Sequence, residues 1–170
     1  RIARVFISSR ADMASAYAVE EIRGGHSGGG GGDGLNASGF GSFGEAEGIE
    51  DDPMDDEDML LELLTPLSTL AKFRYAASAG AIADLYVNAI EKRSAAVMAL
   101  TSSDSNANIA QAKVQLADAQ ARLAFLTYVI GAVVGSHVTR VSANAIDRLE
   151  EFNARLAALV FRMVNESTNM

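Results

Sequence analysis

Thirteen consecutive uncharged residues, Leu123 to Gly135 (LAFLTYVIGAVVG), constrain this chain more than any other feature. They end a long helical pattern running from Ile109 to His137, and they place apolar side chains on every side of that helix. Such a helix has no face to offer water, so it must be enclosed by neighbours. A bilayer span needs ~20 residues of this kind, and the stretch is too short for one. The pattern therefore predicts a core helix with other helices packed around it. Gly131 and Gly135 form a GxxxG, which predicts close approach of a neighbouring helix at that point.

The remaining periodic segments also read as helices. Ile2, Val5, Phe6, Ser9, Met13, Ala16, Tyr17 and Ile22 fall on one side of a predicted helix that stops at Gly24-Gly25. A second helix spans Met59 to about Phe73, and Pro66 within it predicts a kink or break near Thr65. A third covers 75–100, with Tyr75, Ala79, Ile82, Tyr86, Ala89, Val97 and Leu100 as core candidates. The polar run Thr101–Asn108 predicts a loop. The last helix, about Val141 to Asn165, sets Val141, Ala145, Leu149, Phe152, Leu156, Leu159 and Met163 at spacings of three and four. Frequent alanine and only two prolines agree with an all-α chain. Antiparallel helix pairs stacked as an α-solenoid account for one helix that is apolar all round. The start at Arg1 and the end at Met170 read as cuts from something longer.

Between the first two helices lies a segment of different character. Residues 24–48 hold 12 of the 15 glycines, a composition that cannot offset its chain entropy by burial. No strand precedes it and no Gly-Lys-Ser/Thr follows, so a phosphate loop is not predicted. Ten of the 22 acidic residues sit between Glu45 and Glu62, where no Lys or Arg occurs. The net charge of −8 is thus one segment attached to a nearly neutral body. The expected organisation is a repeat helix over 1–23, a disordered glycine-rich and acidic insertion over 24–58, and helical repeats over 59–170.

Several chemistries are unsupported. There is no cysteine, hence no disulfide framework and no thiolate zinc site. His26 and His137 have no convincing acid partner in sequence, and the clustered carboxylates lie where they would be solvated rather than buried and fixed. The acidic run lacks EF-hand spacing and its central glycine. No basic stripe suggests nucleic acid. No enzyme activity, cofactor, metal or membrane span is expected.

At the apolar helix the chain resembles a known family. Arg122-Leu123-Ala124-Phe125-Leu126-Thr127-Tyr128-Val129-Ile130-Gly131-Ala132-Val133-Val134-Gly135 is similar to the strongest motif of the exportin-7 branch of the importin-β superfamily. Phe6-Ile7-Ser8-Ser9-Arg10 looks like the family's aromatic-x-T-S-R, and Gly48-Ile49-Glu50-Asp51-Asp52-Pro53-Met54-Asp55-Asp56 like its G-L-E-D-P-L-D-D. Leu67-Ser68-Thr69-Leu70 followed by Tyr75 resembles its L-S-T-I and E-Y. The family often carries a tryptophan where Phe125 stands.

The resemblance implies HEAT-like helical repeats in a receptor that binds Ran in its GTP form, protein cargo and nuclear pore proteins, and shuttles between nucleus and cytoplasm. Asp51, Asp52, Asp55 and Asp56 are the candidate contacts for a basic patch on Ran or cargo, because their charge exceeds what helix capping needs. Arg148, Arg155 and Arg162 recur every seven residues and could meet an acidic partner, or simply form a solvated face. The alternatives are a non-transport helical scaffold and, more distantly, a membrane-associated protein acting through Leu123–Gly135.

Overall fold

The computed structural model describes residues 2–24, 56–102, 105–136 and 143–168. Among them are five helices and no strand: α1 (Ile2–Gly24), α2 (Glu57–Phe73), α3 (Tyr75–Ser102), α4 (Asn106–Gly135) and α5 (Ala143–Thr168). The glycine-rich and acidic stretch through residue 55, and both histidines, lie outside the described residues.

The helix boundaries have local causes. Asp56 caps α2, its Oδ1 accepting from the backbone N–H of Asp58 (2.9 Å) and of Met59 (3.2 Å). Glu57 and Asp58 in the first turn then face the positive end of the helix dipole. Helix α2 thus opens within the acidic run. Ser105 caps α4 in the same way, accepting from Asn108 N–H at 3.3 Å. Thr101 and Ser102 belong to α3, their hydroxyls donating back to the Met98 carbonyl. The loop expected over 101–108 is therefore shorter, because its hydroxyl residues serve as helix ends on both sides.

The break expected near Pro66 does not occur. Helix α2 runs through it, with Pro66 exposed on the outer side. Around the proline, Thr65 Oγ1 donates to the Leu61 carbonyl at 2.8 Å, and the Ser68 and Thr69 hydroxyls both donate to the Thr65 carbonyl. These bonds double up on the carbonyls either side of the one Pro66 leaves without a backbone donor, that of Glu62, which lies on the exposed side with the proline.

Helix α4 is the centre. By length and composition it could cross a bilayer. In the fold it packs against all four other helices, which accounts for that apolarity as core. Tyr86 of α3 meets Thr127 of α4, and further along α3 the Lys92 charge acts on Asp118 of α4. Partners that descend α4 as α3 ascends make the two helices antiparallel. Asp12 of α1 pairs with Arg122, and Ser15 bonds Asp118, so α1 is antiparallel to α4 as well.

The core is continuous, built from Leu64, Leu67, Ile82, Tyr86, Leu123, Leu126, Val129, Val133 and Leu156 among others. Burying a leucine of this kind contributes about 1.5–3 kcal/mol. Thr127 donates its one hydroxyl proton to the Leu123 carbonyl at 2.7 Å, which leaves Tyr86 as the donor of their shared 3.4 Å contact. Tyr75 donates to Asn153 of α5 and sets its ring edge against Phe152, with centroids 5.9 Å apart and planes at 85°. Burial pushes both phenols above their ordinary range, the Thr127 contact pulling Tyr86 partly back.

The expected face of α1 is wrong. Its buried side chains are Ile7, Ala11, Ala14 and Ser15, whereas Val5, Phe6 and Ile22 are exposed. Helix α1 lies on α4 through small residues and through polar bonds that fix its rotation, so its bulky residues point away. In α3 the core set holds from Tyr75 to Ala89, but Ala96 is buried while Val97 and Leu100 are only half-covered.

Candidate protein-docking site

A groove of about 490 Å³ runs between α2 and the last turns of α4. Leu61, Leu64, Thr65 and Ser68 form one wall, and Thr127, Tyr128, Gly131, Ala132, Gly135 and Ser136 the other. Spacings of three and four put each set on one helix face. The surface is mostly apolar carbon with hydroxyls spaced along it. Leu61 keeps 54% of its surface exposed and Tyr128 49%.

This geometry corrects the reading of the GxxxG. A Cβ added at Gly131 or Gly135 meets nothing within 4 Å. The glycines open a channel along α4 rather than admit a neighbouring backbone. The last turns of α4 thus bury Leu123, Phe125, Leu126, Val129, Ile130 and Val133 against the neighbouring helices and stay open along one strip. The groove escaped the sequence reading because its residues look like ordinary core: the glycine spacing was the signal, and its meaning depends on whether a partner helix is opposite.

The sequence-predicted contacts are distributed differently. Asp56 stands at the α2 N-terminus, four residues before Leu60 and next to the groove wall that starts at Leu61, but its carboxylate is engaged in capping. Asp51, Asp52 and Asp55 lie outside the described residues. Arg148 is on α5, its side chain outside the described set. Arg155 is exposed, and Arg162 is exposed and paired with Glu166 at 2.8 Å, one turn away on the same helix. The hydrogen bond and charge of Glu166 keep Arg162 firmly protonated.

A polar cluster that the sequence did not single out joins α1 to α4. Arg122 donates from Nε to Asp118 at 2.9 Å and from its guanidinium to Asp12, while Ser15 donates to Asp118. Burial works against the Asp118 charge, yet the Ser15 hydroxyl, the Arg122 guanidinium and Lys92 outweigh it and hold the carboxyl below its ordinary range. Ser15 is itself buried.

Among the described residues no group of three His, Asp or Glu could hold a metal ion. What the structure offers is surface: a central helix, an apolar groove beside it and charged helix ends. It defines an all-α helical-repeat segment, the class of protein that works by presenting packed helix pairs to other macromolecules. The model of the family described as Exportin-7-like, TPR domain, matches residues 44–170, which takes in α2 to α5, and the chain belongs to that family. Its members are transport receptors, built from helical repeats rather than around a catalytic centre. No curated protein and no solved structure matches the chain.

Proposed function

We propose that this chain serves a nucleocytoplasmic transport receptor that binds Ran in its GTP form together with protein cargo, meets nuclear pore proteins, and shuttles between nucleus and cytoplasm. The single observation that carries this reading is the Exportin-7-like family match over residues 44–170. Binding of Ran and of cargo to one receptor is a linkage between two surfaces, in which each ligand changes the other's affinity by the same factor. No bond is made or broken, so the chain needs surfaces and no catalytic group.

The acidic segment is the proposed electrostatic contact. Asp51, Asp52 and Asp55 precede the capping Asp56 in a run without a single Lys or Arg. A basic patch on Ran or cargo approaching this helix end would be steered by that charge, which raises association rates more than it tightens the final complex. Arg148, Arg155 and Arg162 would offer the opposite sign on α5, with Arg162 already half satisfied by Glu166.

The test is Ran-GTP association with the full receptor at two salt concentrations. Replacing Asp51, Asp52 and Asp55 by Asn is compared with replacing all four, Asp56 included, by Asn or Ser. A slower association and a flatter salt dependence in the triple variant agree with the proposal. Unchanged rates and an unchanged salt slope in both variants remove the acidic segment from the contact. A full-length receptor with no Ran-GTP binding at all favours a non-transport helical scaffold.

A further inference from the structure

We propose that the α2–α4 groove takes its occupant from its own chain, the phenylalanines of Ser38-Gly39-Phe40-Gly41-Ser42-Phe43-Gly44, and that an outside peptide has to displace them. The two parts are complementary in chemistry. The groove exposes apolar carbon at Leu61 and Tyr128, and the α4 backbone is bare at Gly131 and Gly135, where a flat ring can lie against the helix. The hydroxyls of Thr65, Ser68 and Ser136 each donate their proton to a carbonyl three or four residues back, which leaves their oxygens as acceptors. Such a surface suits an aromatic ring carried on a backbone whose N–H groups are unobstructed. Among residues 25–44 the large apolar side chains are Leu35, Phe40 and Phe43, and both phenylalanines stand between glycine and serine neighbours. A volume of about 490 Å³ admits a ring with the backbone on either side of it.

The tether has the right length. The α2 wall of the groove runs from Leu61 to Ser68, and α2 opens at its cap, Asp56. At a helical rise of about 1.5 Å per residue, that wall lies roughly 8 to 18 Å from Asp56. Phe43 precedes Asp56 by thirteen residues, for which a typical linker spans about 20 Å and a fully extended one about 45 Å. A linker whose ordinary span matches the distance to its site gives the highest effective concentration, on the order of millimolar. The chain's own segment is thereby favoured over the same segment of a second copy at micromolar protein. The tether also carries Glu45, Glu47, Glu50, Asp51, Asp52 and Asp55 toward the acidic first turn of α2, with no Lys or Arg among them. Their mutual repulsion stretches it at low salt, so screening by added salt favours docking.

Two measurements on the full chain test this. A fluorescein-labelled peptide of residues 36–48 should bind the Phe40→Ser/Phe43→Ser double variant several-fold more tightly than the unmodified chain, whose groove is already taken. Both substitutions lie outside the five helices, so the helical fold is untouched. Equal affinity for the two chains, or binding to neither, overturns the proposal. In the second measurement Phe43→Trp introduces the chain's first tryptophan, and acrylamide quenching of its emission reads how well the ring is covered. Quenching should be several-fold weaker than in the free peptide with the same substitution, weaker still at higher salt, and independent of protein concentration. Gly131→Leu fills the groove from the α4 side, where a methyl group would still leave room, and should return quenching to the peptide's level. Leu61→Asp charges the opposite wall and should do the same, which keeps the test decisive if either groove variant loses its helical circular dichroism. Protection that survives both groove variants places the ring elsewhere and removes the assignment. Protection that grows with protein concentration means that the groove is filled by a second copy, and equally overturns an occupant in cis.

Discussion

Gly131→Ala should stabilise this protein. Gly131 lies inside α4, five residues from its start of exit at Ser136, and it takes no left-handed backbone angle. Glycine in a helix interior costs roughly 0.8–1 kcal/mol relative to alanine. Part of that difference comes from the unfolded chain, which alanine makes less free. The cost is recovered only if the new methyl group fits, and at Gly131 it meets no atom within 4 Å. The expected gain is therefore about 0.5–1 kcal/mol, or a Tm rise of about 2–4 °C per kcal/mol for a domain of this size. Thermal and urea unfolding followed by far-UV circular dichroism reads it. Gly80→Ala is the internal control, since its position is equally open and should shift in the same direction. A fall in stability for Gly131→Ala with a rise for Gly80→Ala would refute the groove, because it would mean that another backbone packs against that face.

Other perturbations separate structural duties from binding ones. Asp56→Ala removes the α2 cap and should cost about 1 kcal/mol in urea unfolding, whereas Asp52→Asn should leave stability unchanged. Asp118 has a folded carboxyl held below its ordinary range, so its contribution is complete at neutral pH and is lost as pH falls through that lowered value. Acid unfolding of the unmodified chain should accordingly steepen below about pH 4, and Asp118→Asn should flatten that limb. Leu126→Ala, emptying a fully enclosed site at the middle of the core, should cost about 2–5 kcal/mol with no change in m-value.

How much of this was legible follows from which force decides each element. Helix α4 was readable because apolarity on all sides leaves only an enclosed position, and the structure puts it against every other helix. The α3 core from Tyr75 to Ala89 was readable because its large residues are the ones that pack. Helix α1 was misread because hydrophobic bulk did not choose its face. Ser15 and Asp12 found partners more than a hundred positions away on α4, and those bonds turned Ile7, Ala11 and Ala14 inward instead of Val5 and Phe6. Nothing local announces a partner so distant. Continuity through Pro66 was likewise hidden, since it depends on Leu60 and Leu64 before the proline and Leu67 and Ala71 after it being buried on one face, with Pro66 left on the exposed one. The groove failed for a third reason: a GxxxG describes absent side chains, and only the opposite surface decides whether the gap is filled.

One residue stands between α2 and α3. Arg74 is the only non-helical position there, with φ −135° and ψ 60°, and its carbonyl already accepts from the N–H groups of Ala77 and Ser78 at 3.0 Å. Those bonds tie its carbonyl side to α3, so the freedom that remains is a rotation on the α2 side of a single joint. Helix α2 is one wall of the groove and α4, gripped by α3, is the other. The width of the opening is therefore set by an angle: the turn at Arg74 aims α2, and Leu64 and Leu67 seated in the core hold that wall at the distance from α4 that the turn allows.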